Sequence, residues 1–272
     1  MIFNNNEWLA ALLFFVVLVF PACQQSNTKP SPEASKRALR LRGYNFDEQS
    51  FLKAAADSDE ISVNTFLAAG MNPNVKDTHS GASALILAAT RGDLEMVKTV
   101  LQGGANINQK DDLGFSALLR ALQNRKDEVA DFLVAQPTVD VNQPGSSNIT
   151  PLMAYITRQR EDTVADLLNR GANVNHQDVD GDTPLHIAAQ QGNVNIARML
   201  LDKGAKVDVK NKLGGTALMW AGVYGYDDVA KLLLERGADP KLKDNDGMTA
   251  AAWATRNKRV LTAELLRNAE KR

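Results

Sequence analysis

A chain of 272 residues with 31 basic and 32 acidic side chains has almost no net charge, which removes any whole-chain electrostatic argument for a nucleic-acid or anionic-membrane partner. An ordinary globular chain of this length buries its core in one or two domains, whereas a solenoid builds its core layer by layer. The single cysteine, Cys23, excludes an intramolecular disulfide.

Residues 8–20 form an unbroken apolar run, the length of a signal-peptide h-region and short for a helix crossing a hydrocarbon core of about 30 Å. Pro21, Ala22 and Cys23 follow directly. This position resembles a bacterial lipobox, in which a small residue precedes a cysteine that receives diacylglyceryl and becomes the mature N-terminus. Ala22 fits that pattern; Phe20 and Pro21 depart from it, and residues 1–7 lack Lys and Arg. The resemblance implies a signal peptide over 1–22 and a lipid on Cys23. Ordinary signal-peptidase cleavage, an uncleaved anchor and a buried hydrophobic segment are the competing outcomes. Several fatty chains would hold the protein stably on a membrane, facing the periplasm. Gln24, rather than Asp, after the cysteine favours the outer membrane by resemblance to lipoprotein sorting signals.

Residues 24–36 contain two prolines and almost no apolar side chains, as a flexible tether should. Residues 37–46 read equally as an N-terminal cap or as more tether. The repeat domain is expected over 47–272. Its first unit places Phe51, Ala54, Ala55, Phe66 and Leu67 at apolar positions and closes with Gly70.

The unit is clearest in residues 181–213. Thr183 supplies a capping hydroxyl and Pro184 a pre-set φ for the first helical position, so a helix starts there and Gly192 ends it. Asn193 caps a second helix with Ile196, Ala197, Leu200 and Leu201 on one face, and Gly204 permits a left-handed C-terminal cap. Asn195, Arg198 and Asp202 are expected to face water. Two helices this short cannot bury their apolar faces alone, so the unit requires stacked copies.

The copies are present. Gly81, Gly114, Asn148, Gly181, Gly214 and Gly247 occupy equivalent places, separated by 33, 34, 33, 33 and 33 residues, and a weaker copy starts near Asp47. Residues 183–189, TPLHIAA, and the Gly204-Ala205 pair resemble the signature of ankyrin repeats. The resemblance implies an all-α solenoid of about seven stacked helix pairs with β-hairpin-like arms. Repeats then begin near 47, 81, 114, 148, 181, 214 and 247.

Between the two helices of a unit, Gly92, Gly192 and Gly225 can take positive φ, but Ser58, Arg125, Gln159 and Lys258 stand at the same place in other units. Those junctions must turn by another route or adopt a strained left-handed backbone. The unit from Gly114 is the least regular, with Gln136-Pro137-Thr138 replacing the expected Gly-Ala and the extra residue falling before Asn142. Asn74, Asn108, Asn142, Asn175 and Asp208 recur in the arms, where a short side chain can bond nearby backbone and hold a turn. The last unit directs Trp253, Leu261, Leu265 and Leu266 to the core. Its Arg256, Lys258, Arg259, Arg267, Lys271 and Arg272 form a solvated basic cap.

No catalytic constellation emerges. His79 and His176 lie in different arms without metal-ligand spacing, and the resemblance gives His186 a hydrogen bond to the turn between repeats. Asp111-Asp112 and Asp244-Asn245-Asp246 lack the glycine and glutamate of a calcium loop and read as turn residues. No metal, cofactor or nucleic acid is expected, and the protein is read as a non-enzyme and a monomer.

In ankyrin arrays the arm tips and the exposed ends of the first helices form a concave binding face. Large apolar groups that the repeat does not require mark contact sites there, and Phe115, Ile149, Leu213, Met248 and Tyr224 qualify, with Arg91 and Arg158 among them. The sequence therefore points to an envelope-tethered module that binds an unidentified protein. An immunity-type inhibitor of a toxin and a host-directed effector are the alternatives.

Overall fold

The computed structural model describes residues 30–272. The apolar run and Cys23 lie outside them. Among the described residues the architecture is entirely helical, and no helix is long and apolar enough to cross a membrane.

The first helix, α1, spans Pro32–Leu41, with Ser31 capping it and Pro32 at its first turn. Where composition suggested tether, the chain is therefore helical from Pro32. The reason is packing. Leu39 is fully buried, Arg42 donates to Asp59 and Ser62 at 2.8 Å each, and Tyr44 and Phe46 set their rings against Phe66 at 5.9 and 6.0 Å. Residues 32–46 thus cap the N-terminal end of the stack.

Seven helix pairs follow: α2 Glu48–Ala56 with α3 Glu60–Ala68; α4 Ala84–Arg91 with α5 Leu94–Gln102; α6 Ala117–Gln123 with α7 Asp127–Val134; α8 Pro151–Thr157 with α9 Glu161–Asn169; α10 Pro184–Gln191 with α11 Val194–Asp202; α12 Ala217–Tyr224 with α13 Asp227–Glu235; α14 Ala250–Arg256 with α15 Val260–Glu270. First helices pack on first helices and second on second, so one continuous apolar core runs the length of the stack. Each first helix from α4 onward is capped by a Ser or Thr at 83, 116, 150, 183, 216 or 249. In the unit from 181, Ile196, Ala197 and Leu200 are buried while Asn195, Arg198 and Asp202 are exposed, as the helical spacing requires.

The arms contain no strand; isolated bridges at Lys76–Ser83 and Lys110–Ser116 are all the β-pairing among the described residues. Three of the seven junctions turn on Gly92, Gly192 and Gly225 at φ 85, 70 and 83°, and Ser58, Arg125, Gln159 and Lys258 adopt the same left-handed turn at φ 55–60°. Leu261 departs from expectation. It is 71% exposed, because Thr262, Ala263 and Leu266 occupy the inward face of α15.

The recurring arm asparagines do something different from the local turn expected of them. Asn74, Asn108, Asn142 and Asn175 each accept the backbone N–H of a residue in the next repeat, namely Asn106, Asp140, Asn173 and Lys206, at 2.7–2.8 Å. Their amides also donate onward where the geometry allows, Asn142 to Gly171 and Asn175 to Gly204, both at 3.1 Å. The local turn is held by the residue two places earlier: Asn72, Asn106, Asp140 and Asn173 accept the N–H at i+2 at 2.9–3.0 Å. A side-chain ladder therefore ties each arm base to its neighbour.

Candidate protein-binding site

The arm tips are shaped by buried or half-buried carboxylates and amides. Asp111 accepts the N–H groups of Leu113 and Phe115 at 3.1 and 2.9 Å and pairs with Arg120 at 2.5 Å. Asp178, Asn211 and Asp244 make the same pair of backbone bonds in later arms. The acidic doublets are thus turn anchors, and among the described residues no three His, Cys, Asp or Glu gather to hold a metal.

His186 occupies the turn between repeats as the resemblance implied. Its Nδ1 accepts the Thr183 N–H at 3.1 Å, so Nε2 carries the proton and donates to the Gly215 carbonyl at 3.1 Å. Burial holds its pKa below 6.5, against the opposing pull of the Asp182 and Asp178 carboxylates. His176 plays a related part, with Nε2 2.9 Å from the Asn148 carbonyl.

Successive arm tips are joined by a backbone bond: Asp112 N–H to Ser80, Val179 to Ser147, Lys212 to Asp180 and Asn245 to Leu213, at 2.9–3.1 Å. No such bond joins the tips around Leu113 and Ser146. There the arm runs through Pro144, which has no N–H, and Gly145, which stands where the other arms carry Asp or Asn. The tip closes instead as a single 3₁₀ turn, Ser146–Asn148, with Ser147 and Asn148 left-handed at φ 56 and 59°. The neighbouring helices respond. α6 and α8 approach each other least of all adjacent first helices, and α7 and α9 barely meet.

This separation leaves a cavity of about 450 Å³ on the inner face, lined by Phe115, Leu119, Leu122, Ile149 and Ala154, with Gln123, Thr157 and Arg158 at its rim. Three residues singled out from sequence, Phe115, Ile149 and Arg158, therefore meet at one place. Phe115 and Ile149 are half-buried, and Arg120 lies over the Phe115 ring with its guanidinium carbon 4.3 Å from the centroid. Arg158 is not a free cation. It donates to the Asp127 carboxylate and the Leu122 carbonyl across the gap.

Leu213 and Tyr224 sit elsewhere, toward the C-terminal end. Leu213 is 71% exposed and borders a smaller hollow of about 180 Å³ lined also by Met219, Trp220, Val223 and Trp253. Tyr224 stacks between Trp220 and Tyr226 at 6.0 and 5.9 Å, and the Trp253 indole N–H donates to Asp244 at 2.6 Å. This aromatic row was missed from sequence because Trp253 was read as core and Tyr226 stands at the N-cap place that Asn193 fills one repeat earlier. Met248, half-buried, lies beside Arg256 and Arg267 in a third, open depression, and Arg91 is exposed at the end of α4.

The stacked helix pairs, the capped arms and an apolar hollow on the inner face together define a repeat solenoid built as a binding scaffold. The chain belongs to the ankyrin repeat family: three copies of the family profile match residues 51–145, 137–211 and 207–272. Such repeats are protein–protein interaction modules. Among solved structures, the chain is similar to the ankyrin repeat domain of Bcl-3, described as a unique member of the IkappaB protein family, with a TM-score of 0.64 and 24% identity over 80% of this chain and 97% of that one. At that identity the likeness speaks to the fold alone. Among curated protein sequences, none matches this chain.

Proposed function

We propose that this protein is a non-catalytic module, lipid-anchored through Cys23 in the bacterial envelope with its array facing the periplasm, that binds a protein partner on its inner face. The observation that carries the binding reading is the apolar cavity between α6 and α8, where Phe115 and Ile149 line an opening that repeat stacking would otherwise have closed. A pocket of that volume accepts one or two large side chains of a partner, the kind of anchor that dominates interface energetics. The outer membrane is favoured because Gln24 follows the cysteine.

Location and binding are tested separately. Metabolic labelling with a fatty-acid analogue should mark the wild type and leave Cys23→Ser unlabelled; equal labelling of both would remove the lipid. Crosslinking in envelope extract should recover a partner with wild type and lose it with Thr157→Trp, which places an indole over the cavity mouth. Undiminished recovery would move the contact face elsewhere. An activity assay on the recovered partner, bound and free, then separates an immunity-type inhibitor from a supporting scaffold.

A further inference from the structure

We infer that the array is two cooperative blocks, α1–α7 and α8–α15, which part at the seam between the third and fourth repeats while each block stays folded. Four features coincide there. The tip-to-tip backbone bond found on either side is missing, the first helices are farthest from full contact, the second helices barely touch, and the apolar cavity opens between them. In a solenoid, cohesion is a sum of nearest-neighbour interfaces, so the weakest interface sets where the stack divides.

The arms cross the seam through Lys110, which donates to the Pro144 carbonyl at 2.8 Å, and Gln143, which donates to that of Asn108 at 2.9 Å; between the helices the polar contacts are made by arginine. Arg158 reaches Asp127 and the Leu122 carbonyl, Arg160 pairs with Asp131 at 2.7 Å, and Arg170 donates to the carbonyls of Val134 and Gln136. Elsewhere helix faces do this work and a single pair such as Arg236–Asp202, at 2.8 Å, only supplements them. Long, partly exposed ion pairs hold two bodies together less firmly than packed apolar faces and tolerate changes of angle. The Asn108 ladder, with its bonds to Asp140 and Thr138 at 2.8 and 2.9 Å, keeps the arm bases joined and acts as the pivot.

The seam is also chemically unfinished. The Tyr155 hydroxyl of α8 and the Asp131 carboxylate of α7 are already neighbours across the seam, yet the hydroxyl and Oδ1 of Asp131 are both buried without a well-formed hydrogen bond.

Hydrogen exchange of the full-length protein in mild detergent, followed by mass spectrometry through a series of sub-denaturing urea concentrations, tests this. Protection in α3, α5 and α7 should be lost as one unit and protection in α9, α11 and α13 as another, with a step between α7 and α9. Arg160→Gln combined with Arg170→Gln should enlarge that step, while Arg236→Gln should introduce none at its own junction. A single unit spanning α5–α11 in both wild type and double variant, or a smooth gradient with no step at the seam, overturns the inference.

Discussion

Asp208 receives the backbone N–H of Asp239 at 3.1 Å in the place where Asn175, one repeat earlier, receives that of Lys206 at 2.8 Å. The two side chains have the same shape, but only the asparagine has an amide to give the glycine carbonyl of the next repeat. Asp208 instead brings a partly buried carboxylate whose pKa is raised, chiefly by burial.

Asp208→Asn should therefore stabilise the protein. The new amide can reach the Gly237 carbonyl as Asn175 reaches Gly204, and one such hydrogen bond contributes about 0.5–1.5 kcal/mol. A raised carboxyl pKa means the ionised form costs stability above the unfolded value of about 3.9, so the gain should be largest near neutral pH and shrink on acidification. Thermal unfolding of both proteins at pH 7 and pH 4 checks the size and the trend.

The helix junctions give a second comparison. Lys258 holds a left-handed backbone at φ 60°, which costs an L-residue about 1–2 kcal/mol, whereas Gly192 takes φ 70° freely. Lys258→Gly should raise stability by about 0.5–1 kcal/mol after the greater freedom of the unfolded glycine is subtracted. Gly192→Ala should lower it by more, because its Cβ would lie 2.7 Å from the Tyr226 ring. Urea unfolding of the two variants decides whether backbone strain or ring contact governs these turns.

Much of this was legible in the residues. The seven-fold helix pairing and the caps follow from the spacing, and Ser58, Arg125, Gln159 and Lys258 announced their strain by replacing glycine. The ladder was not legible, because its bonds join residues about 30 positions apart and nothing local distinguishes Asn142 holding its own turn from Asn142 holding the next arm. Leu261 was misplaced because it was read by its apolarity: α15 keeps the register of α11, and Thr262, Ala263 and Leu266 take the inward places of Ile196, Ala197 and Leu200. The seam did leave a trace: the irregular Gln136-Pro137-Thr138 stretch and the lone Gly145, set against Asp111, Asp178, Asn211 and Asp244, mark the arm tip that loses its anchor.

His186 couples the fold to pH. Because burial keeps the folded imidazole below 6.5, the unfolded chain takes up its proton first as pH falls. The stability this residue contributes is complete above about 6.5 and drains as the pH drops through the lowered folded value. His186→Gln keeps a donor for Gly215 and cannot titrate. Its stability should fall less than that of wild type between pH 7.5 and 5, and parallel curves would show that this imidazole exerts no such control.

The aromatic row near the C-terminal end separates binding from folding most cleanly. Leu213 is 71% exposed and packs against nothing it must hold, so Leu213→Asp should leave the thermal midpoint within about 1 °C, as surface changes usually do. If the partner's footprint extends from the cavity to this row, the same change should weaken capture several-fold, since it sets a carboxylate beside an apolar hollow. Comparing capture by Thr157→Trp, Leu213→Asp and the pair maps that footprint. Loss with Thr157→Trp alone confines the partner to the seam, and loss with either variant stretches it across the third to sixth repeats.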